Sequence, residues 1–134
     1  MKHVSSKLVI LLISFVAIQC ATAQKKNINT NELIGTWKLD MSPQDKTDSN
    51  FAMMRIDKIN KSSFDGVFYR EGVPIKEARI NTQRGIIYGA LVSGDNSGDY
   101  NTSFYLKNGV LYGSTHSLKK DFLAVWTATK QSKK

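Results

Sequence analysis

From Gly35 onward, apolar and polar residues alternate along most of this chain. In Gly35-Thr36-Trp37-Lys38-Leu39-Asp40, the positions of Trp37 and Leu39 share one parity, and Thr36, Lys38 and Asp40 the other. A period of two is that of a strand with one buried and one wet face. The same alternation predicts further strands over Phe51 to Ile59, Ser63 to Arg70, Ile75 to Thr82, Ile86 to Ser93, Tyr100 to Lys107, Val110 to Ser117 and Phe122 to Lys130. No segment between them carries a helical period. The connections hold the residues that set turn geometry: Ser42-Pro43-Gln44-Asp45, Asn60-Lys61, Glu71-Gly72-Val73-Pro74, Arg84-Gly85, Gly94-Asp95-Asn96-Ser97-Gly98, Asn108-Gly109 and Lys119-Lys120-Asp121. Asn108-Gly109 is the sharpest, because a type I′ hairpin turn needs positive φ at both central positions. Every connection after the first is short, whereas a parallel crossover needs a dozen or more residues. The expected fold is therefore all-β: an eight-stranded antiparallel up-and-down barrel over residues 33–130, each strand paired with its successor and the first with the eighth, so that no edge is left open. Gly66, Gly89 and Gly113 fall inside strands, where a glycine marks a bend or a close approach.

The ends are read differently. Lys2, His3 and Lys7 precede an apolar run from Leu8 to Ile18, and Ala21-Thr22-Ala23 supplies small residues for cleavage, so residues 1–23 form a signal peptide. The run is too short to span a bilayer, which takes about 20 apolar residues. Export follows, to the periplasm or the exterior, with a mature chain starting at Gln24. The alternative is a lipid anchor on Cys20, although Gln19 stands where lipoprotein sites carry a small residue; membrane attachment is expected only in that case. Residues 24–32 form a lead-in, in which Asn29 and Glu32 mark the start of a single helical turn. Residues 131–134 are a basic tail.

Composition narrows the chemistry. Cleavage after Ala23 removes the one cysteine, and with it disulfides, thiol catalysis and thiolate metal sites. It also removes Lys2 and Lys7 from the 19 cations, leaving 17 against 11 acids. A basic surface suits an anionic partner, but the charges are scattered and no nucleic-acid-binding motif is present. Nucleic acid is not the expected partner.

With Gly35-Thr36-Trp37 opening the first of eight strands, the chain resembles the calycins, the group of lipocalins, fatty-acid-binding proteins and avidins. The lipocalin resemblance implies that Trp37 plugs a closed end behind the short helical turn, under a basic residue from the last strand, here Lys130. The resemblance to fatty-acid-binding proteins covers only Gly35 to Leu39 and lacks their helical lid. Phe64-x-Gly66-x-Phe68 and Trp126 are similar to avidin positions, but Leu39 stands where avidins place an asparagine, and two tryptophans fall short of a biotin site.

Catalytic groups are scarce. His116 is the single histidine of the mature chain, so a zinc site or a Cys-His dyad is not expected. Asp57, Glu77, Arg55 and Arg79 make up a charge cluster or, equally well, cross-strand ion pairs on an outer wall. Asp95 to Asp99 is rich in oxygen ligands but lacks the spacing of a calcium loop, and is expected as a flexible loop at the barrel mouth. Neither a cofactor, a metal nor an enzymatic activity is expected. The aromatic residues give the better lead: Trp37, Leu39, Phe68, Tyr88, Phe104, Tyr112 and Trp126 are expected to line the interior, with Tyr hydroxyls and Ser114 as polar contacts. Trp37 is expected at the closed end and Trp126 beside a cavity. The function implied is non-covalent binding of a small apolar or amphipathic molecule. The alternatives are an extracellular interaction or inhibitor module with a packed barrel, and an isomerase-type barrel enzyme using one acid.

Overall fold

The computed structural model describes residues 27–69 and 73–132. The leader, Cys20 and the Lys133-Lys134 end of the tail lie outside the described residues. A 3₁₀ turn over Thr30–Leu33 precedes β1 Gly35–Asp40, β2 Phe51–Asn60, β3 Ser63–Tyr69, β4 Ile75–Asn81, β5 Tyr88–Asp95, β6 Gly98–Lys107, β7 Val110–Ser117 and β8 Phe122–Lys130, with a second 3₁₀ turn at Leu118–Lys120. All pairings are antiparallel, in the order β3-β2-β1-β8-β7-β6-β5-β4. The result is an eight-stranded up-and-down barrel, nearly closed.

Local chemistry explains most of the register. Asn108 and Gly109 sit at φ 52° and 76°, so this turn pairs Lys107 with Val110 and, further along, Tyr105 with Tyr112. The stretch expected as a mouth loop is instead a tight hairpin: β5 continues to Asp95, β6 begins at Gly98, and Gly94 pairs with Asp99. Gly98 takes φ +127°, a conformation open to glycine but not to residues with a Cβ, so pairing runs up to Asn96-Ser97. At the other end of β5, the strand starts at Tyr88 rather than Ile86.

Closure departs from the expected pairing at one place. β3 and β4 do not form a ladder; they share the isolated bridge Val67–Pro74 and the backbone bonds Phe68 N to Val73 O (3.0 Å) and Ile80 N to Ser62 O (2.7 Å). Pro74 has no N–H to donate, so regular pairing cannot run through it.

The end that carries the first 3₁₀ turn is capped. Asn29 Oδ1 accepts from the amide of Asn31 at 3.1 Å, which starts the turn, and Leu33 at its end is fully buried. Trp37 Nε1 donates to the Leu33 carbonyl at 2.8 Å, satisfying a buried indole N–H. Lys130 Nζ donates to the Glu32 carbonyl at 2.6 Å and lies 5.2 Å from the Trp37 ring centroid, within cation–π range. The interior is filled by Leu39, Met54, Ile56, Phe64, Phe68, Leu111 and Trp126. Each large side chain so buried contributes about 1.5–3 kcal/mol.

The long β1–β2 connection is ordered by its own side chains. Asp40 Oδ1 accepts from Ser42 N at 3.0 Å, and Asp48 Oδ1 from Asn50 N at 2.9 Å. Ser42 Oγ donates to the Asp48 carboxylate. Asp45 Oδ1 takes both the hydroxyl (2.7 Å) and the amide (2.9 Å) of Thr47, and these bonds hold its carboxyl below the ordinary aspartate range. Turns of this kind fix a loop without a core.

Candidate binding groove on the outer face

Side-chain parity divides the expected site residues into two groups. Trp37, Leu39, Phe68, Phe104 and Trp126 are buried in the core. Tyr88, Tyr112 and Ser114 are on the opposite parity, because Gly89 and Leu91 in β5 and Leu111 and Thr115 in β7 are the inward residues. Their placement inside the barrel is therefore corrected: they face out. Trp126 is 1% exposed, its ring centroid 6.3 Å from Phe68 and 6.5 Å from Phe104. It packs within the core and, under Gly113, also lines the open groove on the other side of the sheet, together with Gly89 and Phe104.

Two further expectations are settled by geometry. Arg55 pairs with Asp57 on the surface of β2 at 2.7 Å, while Arg79 donates to the carbonyl of Ala78 at 2.7 Å. The four charges do not form one cluster, since β3 lies between β2 and the far edge strand β4. His116 stands half-buried on the outside of β7, opposite Asn101 of β6 and Leu123 of β8.

The outward residues of β4 to β8 fall into cross-strand rows. One row reads Asn81, Tyr88, Tyr105, Tyr112 and Thr127, and the next Arg79, Ala90, Ser103, Ser114 and Val125. The tyrosines touch in series: Tyr88 to Tyr105 at 6.0 Å and 46°, then Tyr105 to Tyr112 stacked at 5.3 Å and 13°. They form a ridge, and beside it Ala90, Ser103 and Ser114 are too short to fill the sheet surface. A groove of about 880 Å³ follows, with Pro43 and Gln44 of the β1–β2 loop at one end and Arg79 and Asn81 at the other. Beyond the shared residues Arg79, Ala90 and Ser103 it continues into a cleft of about 310 Å³ bordered by Glu77, Val92, Asn101 and His116.

The floor is held from beneath. A Cβ on Gly89 would lie 2.2 Å from Phe104 Cζ, and one on Gly113 2.5 Å from Trp126 Cη2, so each inner ring lies over a glycine of the adjacent strand. Trp126 is fixed further by donating from Nε1 to Thr115 Oγ1 at 3.0 Å, and Thr115 exchanges a hydrogen bond with Thr102 at 2.9 Å. The outer groove thus stands on a rigid, hydrogen-bonded layer.

Such a site offers apolar ring surface along one wall, hydroxyls of Ser103 and Ser114 in the floor and one guanidinium at its end. Its volume lies in the range of small-molecule pockets, roughly 300–1,000 Å³. Tyr105, Ala90, Ser103 and Val125 were not among the expected site residues. For Tyr105 a signal was available, since the Asn108-Gly109 turn fixes it opposite Tyr112. No known protein-family model matches the chain, and no curated protein does either.

Proposed function

We propose that this is an exported calycin-like barrel that binds a small amphipathic molecule non-covalently in the groove on its outer face. One observation carries the reading: three tyrosines in adjacent strands wall a trough floored by Ala90, Ser103 and Ser114. An apolar body against Tyr105, Tyr112 and Val125 gains from area removed from water, and an acidic group reaching Arg79 gains a charge-assisted contact. The seating of Lys130 over Trp37 supports the calycin-like part of the reading. The test is fluorescence titration with 1-anilinonaphthalene-8-sulfonate, an anionic amphipath. The parent chain binds it saturably; Tyr105→Ala weakens binding about tenfold in a folded protein, and Arg79→Gln weakens this probe while sparing an uncharged analogue. Unsaturable binding, or affinities unchanged in both variants, defeats the proposal.

A second reading, a protein-interaction module, is favoured by the exposure of Leu123 (70%) and Val125 (64%), which share the outer face of β8, and of Leu118 (86%) in the β7–β8 turn. Apolar side chains that cluster in the open mark interaction surfaces more often than singly scattered ones do. Replacing Leu118 and Leu123 with serine separates the two readings, since it leaves the groove wall intact.

A further inference from the structure

The capped end of the barrel has a charge character that the rest of the molecule lacks. Three hairpin connections reach this end, and each carries a cation at or beside its tip: Lys61 between β2 and β3, Arg84 between β4 and β5, and Lys107 between β6 and β7. All three are exposed, and among the described residues none of them is in an ion pair. Lys58 and Lys130 add to the same end. The carboxylates there are Glu32, Asp57 and Asp65, of which Asp57 is paired with Arg55 and Asp65 accepts from Asn60 Nδ2. The opposite end is the reverse: Asp40, Asp45, Asp48, Asp99 and Asp121 balance its lysines, and Lys76 is tied to Asp99.

We propose that the capped end docks on an anionic phospholipid bilayer. The cations sit on separate hairpins around the rim of the barrel, a ring rather than a line, and a ring matches a charged plane better than it matches one extended polyanion. Both described termini also leave from this end, since Gln131 N donates to the Thr36 carbonyl at 2.8 Å and Lys130 reaches Glu32. In the sequence Lys25-Lys26 and Lys133-Lys134 directly adjoin the described residues. Each basic residue at an anionic leaflet contributes about a factor of five in affinity. The attraction between exposed charges fades within about 8 Å at physiological ionic strength, so binding should weaken steeply with salt.

The test is vesicle flotation of the chain from Gln24 onward, which holds the whole barrel and no lipid-modifiable cysteine. Vesicles are phosphatidylcholine alone or with about one third phosphatidylglycerol. The parent chain floats only with the anionic vesicles and is released by salt. Lys61→Glu, Arg84→Glu and Lys107→Glu together reduce partitioning at least about 100-fold, whereas Lys46→Glu with Lys119→Glu at the opposite end changes it less than about threefold. If the reversed triple variant does not fold, the triple glutamine variant takes its place, with a smaller loss in the same direction. Failure of the parent to bind anionic vesicles at low salt overturns the proposal, even if it binds heparin. So does an equal loss from charge reversal at the two ends.

Discussion

Strands β5 to β8 carry two aromatic layers back to back, and the two are built on opposite rules. On the inner side large and small residues alternate along a row, Trp126, Gly113, Phe104 and Gly89 in cross-strand order, so that every ring has a glycine to lie over. On the outer side they are segregated: Tyr88, Tyr105 and Tyr112 share one row, and Ala90, Ser103 and Ser114 the next. Alternation fills space; segregation leaves a trough. The inner layer is thereby interleaved and buried, and the outer one a surface with unfilled volume. In these two rows phenylalanine and tryptophan are used inside and tyrosine outside, as expected where a ring has one dry and one wet side.

The largest effect should come from emptying the inner layer. Trp126→Ala removes a fully buried ring and leaves Thr115 without its indole donor; a loss of about 3–5 kcal/mol in urea denaturation is expected. Filling the inner layer comes next. Gly113→Ala drives a methyl into the Trp126 ring and against the Ser103 carbonyl, for about 1–3 kcal/mol. In a Trp126→Leu background the same change should cost measurably less, and an additive double-mutant cycle would break the claim that glycine and ring are partners. Filling the outer trough should behave in the opposite way: Ser103→Leu is expected to shift stability by no more than about 0.5 kcal/mol while abolishing probe binding. Large destabilisation by Ser103→Leu would mean that the outer row is as tightly packed as the inner.

The smallest effect concerns the loop that ends the trough. Asp45 has its carboxyl lowered by the hydroxyl and amide of Thr47, so its ionised form favours the folded loop. That contribution is present above the ordinary aspartate range and lost as pH falls through the lowered value. The Thr47 amide resonance should therefore move below the ordinary aspartate titration range, with little change in global stability, and Asp45→Asn should remove this response.

Much of the fold was legible because strand period and turn chemistry agree. β1, β7 and β8 begin and end where alternation alone places them, and the Asn-Gly turn fixes the β6–β7 register outright. Alternation cannot say which face is inner for Tyr88 or Tyr112, because tyrosine suits either. Reading glycine as an inward residue would have decided it: a strand glycine beneath a ring must face that ring, which puts Tyr88 next to Gly89, and Tyr112 next to Gly113, on the outside. The β3–β4 seam was readable from Pro74 alone, which removes a donor wherever it sits.

That seam also gives the barrel a natural beginning and end that the polypeptide does not share. Read from β4 through β8, then β1 to β3, every hydrogen-bonded neighbour is a neighbour in the list, with β8–β1 bridging the two chain ends. A circularly permuted gene that joins the termini and opens the chain between Tyr69 and Ile75 would make all seven ladders local. The loop-closure entropy of uniting β1 with β8 would fall, and that of bringing β3 against β4 at the seam would take its place. Such a permutant should keep the same groove and the same charged rim, with the β3–β4 seam, not β8–β1, as the last contact to close.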